Sequence, residues 1–200
     1  MSAAEAEREP DDEFQVTPLE LFFDLVFVFA TNKVTSVLAD DPTWGGVLRG
    51  MLVLAALWWA WAVYAWLTSS MDVDEGGVRL TMLASMGAML IVALAVPGAF
   101  GGDAVLFGAA YLLVRVLHLV LSALVVRKDP ERRSALIRFA PTAIVGPVLL
   151  VLAGFLDGNV RIVVWVVALA IDYLGPVVIG PGQGWRIAPE HFAERHGLIV

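Results

Sequence analysis

The chain contains no cysteine, which excludes a disulfide framework, a thiolate nucleophile and any cysteine-ligated metal. Charge is also scarce. Only 16% of the 200 residues are Asp, Glu, Lys or Arg, against about a quarter in soluble domains. The basic residues form one short cluster without interleaved aromatics, so no nucleic-acid partner is expected. The N-terminus lacks the basic stretch that opens a secretory leader, so the first apolar segment is expected to stay in the mature protein. There is no HExxH, and no pair of aspartates in separate spans has protease-type flanks. An enzyme is not expected, and no cofactor is implied.

What the chain does have is hydrocarbon: 59% of residues are hydrophobic and the mean hydropathy is +0.79, the composition of a membrane protein. The net charge of −7 says little about partners. Residues 1–16 hold Glu5, Glu7, Glu9, Asp11, Asp12 and Glu13 against Arg8, which is six minus one, or −5 of the total. That stretch has almost nothing to bury and reads as a disordered, acidic cytoplasmic arm. Residues 17–200 read as one transmembrane helical domain.

Crossing a bilayer takes about 20 apolar residues. Between Arg49 and Asp72 lie 22 residues without a charge, and between Arg79 and Asp103 lie 23. Residues 18–39 make another span, and residues 104–126 a fourth that only Arg115 and His118 interrupt. Residues 139–156 and 160–180 give a fifth and a sixth; a seventh apolar run starts at Glu190 and reaches Val200. The fold class is therefore all-α, a polytopic transmembrane bundle of six spans plus the start of a seventh, with the lipid bilayer as its partner. Arg127, Lys128, Arg132, Arg133 and Arg138 crowd the connection between spans four and five, whereas the opposite face holds Arg49 and Arg161. Basic loops stay on the cytoplasmic side, so the N-terminus is expected there too.

Polar residues inside such spans are the candidates for function, since an unpaired charge in hydrocarbon costs several kcal/mol. At 100° per residue Glu20, Asp24, Phe27, Thr31 and Thr35 share one face of span one. Either the two acids merely complement the helix start, or Asp24 meets an internal partner. In span four, Tyr111, Arg115, His118 and Ser122 form a polar stripe at helical spacing, with Arg115 eleven uncharged residues from either end. The obvious counter-charge for Arg115 is Asp24; such a pair is either a structural clamp or part of an anion or proton path through His118. Asp172 lies equally deep in span six. Pro141, Gly146-Pro147, Gly175-Pro176 and Gly180-Pro181-Gly182 point to kinked or discontinuous helices in spans five and six. Trp58, Trp59, Trp61, Tyr64 and Trp66 line span two, where packing is the default and a cation–π contact with Arg115 is open. His191, Glu194 and His196, with Glu190, open the last segment; one helical turn of ligands without a second cluster is a weak metal signal, and no metal is expected.

Three pieces together resemble one family. They are Thr17-Pro-Leu-Glu-Leu-Phe-Phe-Asp24-Leu-Val-Phe-Val-Phe-Ala30, the Trp-rich second span, and His191-Phe-Ala-Glu-Arg-His-Gly-Leu-Ile-Val200. The combination resembles the bacterial low temperature requirement A (LtrA) family over residues 14–200. The resemblance implies a multi-pass bacterial inner-membrane protein about twice this length, in which the last motif leads into a helix with a Gly-Glu-Ser element. A fragment, the N-terminal half, is expected on that basis, completed by a missing C-terminal half or by a second copy. The family's name implies a link to growth in the cold, and no defined biochemical activity comes with it. Two functions follow: a structural, stress-adaptation membrane protein, or an ion- or proton-coupled transporter or channel built on the internal Asp/Arg/His path.

Overall fold

The computed structural model describes residues 18–68 and 76–179. The acidic arm, the run from Glu190 onward and the His191, Glu194 and His196 cluster lie outside the described residues. Within them the chain forms six long α-helices: α1 (Pro18–Asp40), α2 (Trp44–Thr68), α3 (Gly76–Ala95), α4 (Ala104–Val125), α5 (Pro130–Ala153) and α6 (Gly158–Ile179). Short 3₁₀ turns, Val96–Gly98 and Val126–Lys128, finish α3 and α4. All six helices are long and apolar enough to cross a membrane. Side chains such as Leu21, Phe22, Leu25, Leu80, Leu94 and Val163 stand on the outside, as a lipid-facing surface requires.

The helices close into a ring in the order α1, α3, α4, α5, α6, α2, each packing on the next, and α2 also reaches across to α4. That cross-contact fills the centre with Trp61, Tyr64, Phe107 and Tyr111, all buried. Small residues set the closest approaches. A Cβ on Gly108 of α4 would fall 2.7 Å from the Val151 nitrogen of α5, and one on Gly146 of α5 would fall 2.7 Å from the Ala168 carbonyl oxygen of α6. Such contacts between backbones are how membrane helices gain packing energy without a hydrophobic driving force.

Helix α5 departs from the expected boundaries. It starts at Pro130, nine residues before the apolar run. The cause is local: the Asp129 carboxylate accepts from the backbone N–H of Glu131 (3.0 Å) and Arg132 (3.1 Å), and Pro130 fills the first helical position. The basic residues 132, 133 and 138 therefore ride on the helix. The expected discontinuities are absent in this region: α5 stays helical through Pro141 and Pro147, and α6 through Gly175-Pro176. Pro147 is buried in the bundle, whereas Pro141 stands exposed. Gly180-Pro181-Gly182 lies outside the described residues.

Arg161, counted as a loop charge on sequence grounds, is buried at the start of α6. Its Nε donates to the Leu156 carbonyl (2.6 Å), its Nη1 to the Phe100 carbonyl, and its Nη2 pairs with Asp157 (3.1 Å). One side chain thus ties the α3–α4 connection to the α5–α6 connection.

Candidate functional site

The ring brings α4 and α6 together around one ion pair. Arg115 Nη2 lies 2.6 Å from Asp172 Oδ1, and both side chains are sealed from solvent, at 0% and 2% exposure. The Tyr111 hydroxyl, one turn from Arg115, donates to Asp172 Oδ2 at 3.0 Å. The Trp59 indole stands beside the same carboxylate without closing a hydrogen bond of normal geometry. Gly146 makes the approach feasible: its missing Cβ would meet the Asp172 Cβ at 3.1 Å, so a larger residue in α5 would push Asp172 away. The far side of the guanidinium faces the Phe139 ring, 5.8 Å from its centroid.

The pairing of Arg115 with Asp24 does not occur. Helix α1 packs on α2 and α3 and is not a ring neighbour of α4, whereas Asp172 of α6 occupies the guanidinium. Asp24 is buried and accepts from the Trp61 indole N–H at 2.8 Å. Glu20 is equally buried, at 1% exposure, so it is more than an acid at an interfacial helix start. The α1 face also drifts from the expected one: Phe23, Ala30 and Val34 turn inward with Glu20, Asp24 and Phe27, while Thr35 is exposed. The cation–π partner of Arg115 is Phe139 of α5, and no tryptophan takes that place among the described contacts.

Tyr64 packs between Phe23 of α1 and His118 of α4. Its ring lies 4.8 Å from Phe23, the neighbour of Asp24, and 5.3 Å from His118, one turn from Arg115. Its hydroxyl reaches both Ser85 Oγ (2.8 Å) and the Val114 carbonyl (2.9 Å). One hydroxyl hydrogen serves a single acceptor at a time. Because Ser85 spends its own proton on the Thr81 carbonyl (2.7 Å), Tyr64 chooses between two acceptors. The sequence placed Tyr64 only in a packing run of aromatics and did not single out Ser85. The signals were there: Thr81 and Ser85 sit one turn apart on α3, and Tyr64 is the single hydroxyl-bearing ring in the tryptophan run.

Among the described residues several buried polar nitrogens have no hydrogen-bond partner: Arg115 Nε and Nη1, Trp59 Nε1, and both ring nitrogens of His118. His118 lies beside the Val63 carbonyl without bonding it in normal geometry. Its ring packs edge-on against Tyr64 and Phe139. Ser122, one turn further on, donates to the His118 backbone carbonyl (2.8 Å) and leaves the ring alone, so no hydroxyl–imidazole pair forms. Among the described residues no group of acids and histidines is arranged to hold a metal ion.

The LtrA family, described as bacterial low temperature requirement A protein, matches residues 15–200. The chain belongs to this family. It is also 33% identical over 202 residues to a protein of Rhizobium meliloti (strain 1021) named "Uncharacterized protein RA0937", covering 96% of this chain and 49% of that one. The chain thus spans about half the length of this curated relative. No solved structure matches it. Neither the family description nor the relative's name states a substrate.

Proposed function

We propose that this LtrA-family chain lies in the bacterial inner membrane with its N-terminus cytoplasmic, and that the Arg115–Asp172 cluster is the coupling site of an ion- or proton-linked transporter. The orientation is supported by the basic residues of the α4–α5 connection. The reading is supported by one observation: Tyr111, Arg115, His118 and Asp172 lie buried together, and among the described protein groups two guanidinium nitrogens and the His118 ring nitrogens find no hydrogen-bond partner. An unpaired buried polar group costs about 1–3 kcal/mol, so these nitrogens call for a partner such as water, an anion or a proton. Beside this cluster, the Tyr64 hydroxyl has two acceptors within reach.

The test is flux. Purified protein in proteoliposomes should dissipate an imposed pH or anion gradient, and Asp172→Asn should abolish this while the protein stays folded. Undiminished flux in Asp172→Asn would defeat the reading.

A second reading is favoured by the pair itself, which joins α4 to α6: a structural membrane protein serving adaptation to cold. Replacing Arg115 by Met together with Asp172 by Leu separates the two. A clamp survives this exchange, since well-packed apolar residues often replace a buried ion pair without loss of stability. A stable double variant that still supports growth in the cold favours the structural role, and a stable one that has lost flux favours transport.

A further inference from the structure

At the end of the bundle away from Arg161, the 3₁₀ turn after α4 and the first turns of α5 form a groove of about 400 Å³ lined by Arg127, Pro130, Arg133, Ser134, Ile137 and Arg138. Three of its six walls are guanidinium groups. Nearby acids do not neutralise them all: Asp129 is engaged with Arg132 at 3.1 Å and with the α5 N-terminal N–H groups. Among the described residues Arg127 and Arg133 form no ion pair. Arg138 reaches Ser134 Oγ at 3.3 Å, which brings a hydroxyl to the same place. The α5 residues share one face, at spacings of three and four, and Ile137, 63% exposed, stands among them. At the rim of a spanning helix the arrangement is apt, with guanidinium groups at headgroup level and an apolar side chain toward the acyl region.

We propose that this groove binds the headgroup of an anionic phospholipid, with Arg127, Arg133 and Arg138 on the phosphodiester and Ile137 against the proximal acyl chain. The charge is complementary, guanidinium forks match phosphate oxygens, and basic pockets between spanning helices are suited to such lipids. The site does not depend on the transport reading, because it uses none of the buried cluster.

The test uses the purified protein in nanodiscs or vesicles of phosphatidylglycerol, of phosphatidylcholine, and of phosphatidylcholine with inorganic phosphate added. Phosphatidylglycerol should raise the melting temperature and the other two should not. Neutralising the arginines should weaken lipid binding about fivefold per residue, and about a hundredfold for the R127Q/R133Q/R138Q triple variant. Equal stabilisation by phosphatidylcholine, or an unchanged response in the triple variant, would overturn the proposal. Stabilisation by inorganic phosphate alone would overturn it in favour of a soluble anion. If the triple variant does not fold, photoactivatable phosphatidylglycerol decides the matter on the unaltered protein: label concentrated at residues 127–138 supports the site, and label spread over both faces refutes it.

Discussion

Two arginines are buried in this bundle, and they are used in opposite ways. Arg161, at one end, has its three nitrogens on two backbone carbonyls and a carboxylate. Arg115, in the middle, makes one short contact with Asp172 and leaves Nε and Nη1 unpaired. The first is finished as a staple between two connections. The second retains hydrogen-bonding capacity in a place where capacity is expensive, and the transport reading proposed above rests on that difference.

The comparison can be broken at several points. The largest effect is expected for Arg115→Ala, which strands Asp172 in the interior and should destabilise the protein by about 3–5 kcal/mol, read as a lower melting temperature in detergent. The R115M/D172L double variant should recover most of that loss; failure to recover would mean that the cluster contributes more than its charges. Arg161→Ala should cost less, about 1–3 kcal/mol, and leave flux per folded molecule unchanged. A flux defect there would erase the distinction between the two arginines. Trp61→Phe removes the donor to Asp24 while keeping the ring stack on Phe27, 5.3 Å away, and should cost about 1–2 kcal/mol. The smallest effect belongs to Asp41, in the α1–α2 connection, which the Thr43 hydroxyl and then Arg49 hold below its ordinary value of 3.8. A depressed acid stabilises the folded state above its unfolded pKa and loses that contribution as pH falls through the folded one. Asp41→Asn should therefore remove a slight stabilisation at neutral pH and, with it, the loss of stability below about pH 4.

Much of the fold was legible because the membrane makes length and hydropathy decisive. The uncharged intervals after Arg49 and Arg79 became α2 and α3. Helix α5 escaped at its start because an Asp129-Pro130 cap, and no apolar run, begins it. The deep polar residues Arg115, His118, Tyr111 and Asp172 stood out for the same reason the spans did, as polar atoms where few are tolerated. Their pairing was hidden. Helical periodicity places a side chain on a face and says nothing about which helix that face meets, so Asp24 was an equally good partner for Arg115 until the ring order put α6 there. The feature that decides the contact is Gly146, a residue without a side chain on a third helix.

The position of Arg115 along α4 has an electrical meaning. It lies eleven residues from Ala104 and ten from Val125, about 15 Å from either end of the helix. A charge travelling from either face to the Arg115–Asp172 pair crosses about half of the transmembrane voltage. Since a full crossing is worth about 2.3 kcal/mol per elementary charge at 100 mV, each half-journey is biased by about 1.2 kcal/mol, close to a factor of seven in occupancy. On the transport reading proposed above, a cell that changes its membrane potential would thereby change how often the pair is occupied from one side, without any movement of the helices themselves.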